Sequence, residues 1–127
     1  MHELSYATAM LEAILNSIKK EEEKGRKIKK VSEINLEVGE LTFINVEQLK
    51  FAFEVIAEGT VCEGAKINVE FIKPKCKCLD CGYEGEAEIV DEFEVYCPKC
   101  KGMRLKLSGG KEFNIKNATV EYEDEYK

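Results

Sequence analysis

The sequence predicts an α+β fold, a small three-stranded sheet with two helices, interrupted by a compact insert built around cysteines. Three observations carry this. Apolar residues first recur at helical spacing, then switch to strict alternation, and five of the six cysteines crowd into one stretch that has no helical periodicity.

The first helix is written in Leu4, Ala7, Leu11, Ile14 and Ile18, which step by three and four, with Met10 and Leu15 widening the stripe. It is expected to run from near the start of the chain into the charge run at 19–24, where cations suit the helix C-terminus and Gly25 supplies a stop. From 31 to 38 the period becomes two: Ile34, Leu36 and Val38 point one way, Glu33, Asn35 and Glu37 the other, as in a half-buried strand. Gly39-Glu40 then reads as a turn. Val46, Leu49, Phe53 and Ile56 form the stripe of a second helix that ends near Gly59. In a second strand Ile67, Val69 and Phe71 alternate with Asn68 and Glu70, and Pro74 closes it. A third strand carries Phe113 and Ile115, then Val120 and Tyr122, with a slip of phase near Asn117-Ala118 of the kind a β-bulge produces.

The insert spans 74–110. Within it, 89–96 and 103–107 read as short strands, and Ser108-Gly109-Gly110 as the turn that returns the chain to the sheet. The expected organisation is therefore a discontinuous domain of 1–73 with 111–127, and an inserted domain at 74–110 between the second and third strands.

Composition narrows the function. The 127 residues suit one ordinary domain carrying a small insert, and 44% hydrophobic content can build a core. Nineteen basic against twenty-five acidic residues leave a formal charge of −6, which disfavours nucleic acid or an anionic membrane as the main partner. No apolar run approaches the roughly 20 residues that span a bilayer, and 1–15 lacks a basic leader with an apolar core, so the chain is expected to be soluble and cytoplasmic. Cytosolic thiols stay reduced, which makes metal ligation the first reading of six cysteines.

Cys78-Leu79-Asp80-Cys81 and Cys97-Pro98-Lys99-Cys100 are two C-x-x-C knuckles separated by fifteen residues, the spacing of a zinc ribbon. Each knuckle turns tightly enough for both sulfurs to reach one ion, and the pair completes a tetrahedral site with no open position. Iron is the competing metal, because Cys78-Leu79-Asp80-Cys81-Gly82-Tyr83 is similar to a rubredoxin knuckle, and a structural disulfide pair is a third option. An insert of this size buries too little for a core of its own, so metal binding is expected to provide much of its folding free energy, on the order of 10 kcal/mol. Cys76 is a spare thiol just ahead of the first knuckle, either a bystander on the incoming strand or a replacement ligand. Cys62 reads as a small buried apolar residue. Six basic residues against seven acidic ones within 74–110 disfavour phosphate binding by this module.

The single histidine is His2, in Met1-His2-Glu3-Leu4-Ser5. The Met1 amine, the backbone nitrogen after it and the imidazole can close adjacent chelate rings around Ni(II) or Cu(II), which favour square-planar nitrogen and oxygen donors. The plain alternative is a solvated histidine at a chain end. Glu3 reads equally as a further ligand or as an acid stabilising the positive end of the first helix. The chain lacks a His-based acid/base pair, a Gly-rich phosphate loop and a nucleophile elbow, so an enzyme is not expected.

Met1-His2-Glu3-Leu4-Ser5, Val38-Gly39-Glu40-Leu41, Gly59-Thr60 with Glu63-Gly64-Ala65, and the two C-x-x-C pairs in this order together resemble the HypA/HybF family of hydrogenase nickel-incorporation proteins over essentially the whole chain. The resemblance implies a nickel metallochaperone for the [NiFe]-hydrogenase large-subunit precursor, working with a HypB-type GTPase and leaving a homodimer open. It implies Ni(II) as cargo at His2, with Glu3 in support, and structural Zn(II) at Cys78, Cys81, Cys97 and Cys100. Cys76 is an addition to the family pattern. Where some members offer an acidic side chain, the loop here reads Thr42-Phe43-Ile44-Asn45, and Asn45 offers only a neutral carbonyl. Two other readings fit the residues alone: a rubredoxin-like iron electron carrier, and a zinc-ribbon adaptor for protein contacts.

Overall fold

The computed structural model describes residues 3–91 and 94–123. Helix α1 covers Glu3–Glu23, strand β1 Ile28–Gly39, helix α2 Val46–Ala57, strand β2 Lys66–Ile72 and strand β8 Phe113–Tyr122. Between β2 and β8 lie the short strands β3 (Lys75–Cys78), β4 (Glu84–Glu86), β5 (Glu88–Ile89), β6 (Val95–Tyr96) and β7 (Leu105–Ser108). A single 3-10 turn, Glu40–Thr42, follows β1. No described helix is long and apolar enough to cross a membrane.

The main sheet has the order β2-β1-β8, so β1 is central. Val31 N–H bonds to the Val61 carbonyl, while Asn68 reaches Glu33 and Asn35, so β1 and β2 run in the same direction with α2 as the crossover. Along β8 the partners descend as β1 ascends: Gly39 with Glu112, Ser32 with Thr119, Lys30 with Glu121. That pair is antiparallel.

The chain divides into two compact units. The first holds α1, α2 and the strand segments that pack with them. Ala7, Met10, Ile14 and Ile18 of α1, Leu49, Phe53 and Ala57 of α2, and Val31, Ile34 and Leu36 of β1 are buried, as the helical and alternating stripes predict, but Leu4, expected to open the α1 stripe, is 58% exposed and Leu11 is half-buried. The opposite edge of the alternation is polar and tied across the strands. Asn68 donates to the Glu33 carboxylate at 2.8 Å and to Asn35 Oδ1 at 2.9 Å, and Asn35 donates to Asn117 Oδ1 at 2.6 Å. Cys62 is fully buried, in keeping with its expected apolar role. Phe71 departs from expectation: it is 53% exposed, and it belongs to the second unit, outside the helix-backed core.

The second unit comprises Glu37–Phe43 and Glu70–Asn114. Its sheet has the order β4-β3-β7, antiparallel throughout, with Cys76 opposite Gly85 on one side and Leu107 on the other. The stretch 89–96, read as one strand, is two: β5 and β6 pair antiparallel, Ile89 with Val95. The physical reason is Asp91, whose carboxylate accepts the Glu94 N–H at 2.9 Å and turns the chain back. Strands β3 and β4 were not legible, because Lys-Cys-Lys-Cys and Glu-Gly-Glu carry none of the usual strand-forming residues.

In this unit the return of the chain passes close against the end of β1. Gly39 N–H donates to the Glu112 carbonyl and Leu41 N–H to the Gly110 carbonyl, both at 2.7 Å. A Cβ on Gly39 would overlap the Gly110 carbonyl and press on the Lys111 nitrogen. Gly110, at φ +89°, has Pro74 and Leu41 against the place where its own Cβ would sit. Glycine at both positions is therefore a steric requirement of two backbones in contact.

Candidate metal centre

Cys78 ends β3 and Cys81 lies in the turn that leads to β4. The turn is closed by Gly82 N–H to the Cys78 carbonyl at 3.1 Å and by Cys78 N–H to the Tyr83 carbonyl at 2.8 Å. The second knuckle repeats the device one residue after β6. Lys101 N–H donates to the Cys97 carbonyl at 2.8 Å, and Cys97 N–H to the Gly102 carbonyl at 2.9 Å. Each knuckle needs a left-handed residue four positions after its first cysteine. Gly82 supplies it at φ +78°, and Lys101 at φ +63°. Leu79 N–H to the Arg104 carbonyl, and Arg104 to the Asp80 carboxylate at 2.8 Å, fasten the first knuckle to the strand leading into β7.

These turns bring the four sulfurs of Cys78, Cys81, Cys97 and Cys100 within 4.8 Å of one another. The cross-knuckle pairs Cys78–Cys100 and Cys81–Cys97 are each 3.6 Å apart. A tetrahedral ion with metal–sulfur bonds of about 2.3 Å sets its ligand sulfurs about 3.8 Å apart, so the cluster has the dimensions of a four-thiolate metal site. A disulfide needs sulfurs about 2.05 Å apart, and all six cysteines are free thiols. The disulfide option is thereby removed.

Backbone N–H groups aim at the sulfurs: Cys81 at Cys78 Sγ (3.4 Å), Cys100 at Cys97 Sγ (3.5 Å) and Gly102 at Cys100 Sγ (3.4 Å). The Cys81 N–H is the main reason the Cys78 thiol is pulled down to about 7. Cys100 is pushed up to about 12: the Gly102 N–H pulls it down, but the neighbouring sulfurs of Cys78, Cys81 and Cys97 outweigh it together with desolvation. Four sulfurs at this spacing ionise together only around a cation. Cys78 and Cys97 are buried, whereas Cys81 and Cys100 are exposed. Cys76 is buried but stands outside the cluster of four.

The family model for hydrogenase/urease nickel incorporation metallochaperones, HypA, matches residues 1–120. The chain belongs to the HypA family. The hydrogenase maturation factor HypA of Methanocaldococcus jannaschii is 94% identical over 124 residues, covering 98% of this chain and all of that protein. A more distant relative of the same name, from Methanothermobacter thermautotrophicus, is 38% identical over 128 residues, again with 98% of this chain and all of that protein covered. The solution structure of the Ni metallochaperone HypA from Helicobacter pylori, at 21% identity, shares the fold with a TM-score of 0.60 over 94% of this chain and 97% of that one. A second solution structure of a HypA protein superimposes with a TM-score of 0.63.

Of the other predicted site residues, His2 falls outside the described residues. Glu3, at the start of α1, is buried, and its Oε2 accepts the Asn45 N–H at 2.9 Å across forty-two positions of sequence. Asn45 in turn caps α2, its Oδ1 accepting the Gln48 N–H at 3.0 Å. Sequence reasoning had weighed Asn45 as a weak metal donor. The cap was equally legible, since asparagine ahead of a helical stripe is a standard start signal. The Glu3–Asn45 bond had no local signal at all.

Proposed function

We propose that this protein carries Ni(II) at its amino terminus and delivers it to a [NiFe]-hydrogenase large-subunit precursor in the cytoplasm, acting with a HypB-type GTPase. The observation that carries the reading is membership of the HypA family across residues 1–120, which takes in His2 and all four clustered cysteines. The His2 imidazole, with backbone nitrogens beside it, offers borderline donors suited to nickel. Glu3, whose carboxylate accepts the Asn45 N–H at the start of α1, is the supporting residue in this reading. Affinity falls in acid, because protons compete with the metal for the same lone pairs.

The four-thiolate cluster holds zinc in this reading. Zinc supplies a closed tetrahedral staple, and the knuckle N–H donors stabilise the thiolates that bind it. Nothing in this arrangement serves a reaction, and the protein works as a carrier and not as an enzyme.

The deciding experiment is a Ni(II) titration of tag-free protein by calorimetry and native mass spectrometry, beside His2→Ala. One nickel bound above one zinc, lost in the variant, is the expected result. Absence of that equivalent, or an unaffected variant, would leave a zinc-ribbon adaptor. An iron-loaded protein with visible Fe(III)–thiolate absorption would instead mark an electron carrier.

A further inference from the structure

β3 alternates strictly: Lys75 and Lys77 are exposed, while Cys76 and Cys78 are buried. Cys76 and Cys78 therefore leave the strand on the same face, about 7 Å apart along it. Cys78 belongs to the cluster, and Cys76 lies beside it with only 5% of its surface exposed. No described group hydrogen-bonds its sulfur. Its neighbours across the sheet, Gly85 and Leu107, offer no polar side chain. Of the two ligands in this first knuckle Cys78 is buried, and only Cys81 is exposed to solvent.

We propose that Cys76 is a reserve ligand of the four-cysteine site: when Cys81 leaves the metal, the Cys76 sulfur moves into the vacated position and the ion keeps four thiolates. This rests on the reading of the cluster as a zinc site. In the exchange the zinc–sulfur bond to Cys81 breaks and one to Cys76 forms. The proton released by the Cys76 thiol passes to the departing Cys81 thiolate, or to solvent where Cys81 has been alkylated with loss of iodide, and zinc stays divalent throughout. The role gives the exposed ligand a buried substitute, so that chemical attack on Cys81 does not release the ion.

The test treats zinc-loaded full-length protein with limiting iodoacetamide and follows adducts by native mass spectrometry with peptide mapping, beside Cys76→Ser. Wild-type protein alkylated at Cys81 is expected to retain its zinc, whereas the same adduct of Cys76→Ser releases at least ten times more to a chromophoric chelator. Equal zinc loss from both overturns the proposal. Untreated wild-type protein that carries no zinc would instead overturn the zinc reading on which it stands. Cobalt substitution gives an independent measure. Cys81→Ser should keep the charge-transfer intensity of four thiolates and lose about a quarter of it when Cys76→Ser is added. Three-thiolate intensity already in Cys81→Ser counts against the reserve ligand.

Discussion

Glu3 and Asn45 are joined by a 2.9 Å hydrogen bond from the Asn45 backbone N–H to Glu3 Oε2, linking the first turn of α1 to the residue that starts α2. The bond makes the beginning of one helix a support for the beginning of the other. Glu3→Ala should leave the Asn45 N–H without its partner and lower the melting temperature by several degrees, while Glu3→Gln, which keeps a carbonyl acceptor, should lose less. Thermal unfolding of the two variants at fixed metal content measures the difference. Equal stability of all three proteins would show the bond to be idle.

Asn45 also holds α2 through its side chain. Asn45→Ala removes the acceptor for the Gln48 N–H and should cost about 0.5–2 kcal/mol, whereas Asn45→Asp, an equally good cap, should be close to neutral. Urea denaturation midpoints of the pair would separate a capping role from any other.

Gly39 faces the Gly110 backbone with no room for a methyl group. Gly39→Ala must push two hydrogen-bonded backbones apart, and it should destabilise by about 1–3 kcal/mol or more. Because Gly39 donates its N–H to Glu112, hydrogen exchange at that amide is expected to speed up in the variant. Unchanged protection would contradict the close approach.

Lys101 holds φ +63° at the position where the first knuckle uses Gly82. A left-handed conformation costs a residue with a Cβ about 1–2 kcal/mol. Lys101→Gly removes that cost and should strengthen metal retention by the four-cysteine cluster against a chelator, by up to about tenfold per 1.4 kcal/mol recovered. The exposed ion pair of Lys101 with Glu88 at 2.9 Å offsets little of this, and Lys101→Ala is the control that loses the pair while keeping the strain.

Both helices, the three strands of the main sheet and the four clustered cysteines were legible in the sequence, because each rests on local periodicity or spacing. The stripe through Ala7, Ile14 and Ile18 and the alternation through Ile34, Leu36 and Val38 need no distant partner to be read, and two C-x-x-C knuckles at ribbon spacing announce one tetrahedral ion. What depended on tertiary structure involved backbone groups or side chains far apart in the chain. The Glu3–Asn45 bond, the contact of Gly39 with Gly110, and the approach of Cys78 to Cys100 and of Cys81 to Cys97 all arise where separate segments meet. A sequence records which residues are able to bury or ligate. Which of them meet is decided by chain crossings, whose geometry comes from strand pairing and turns acting together.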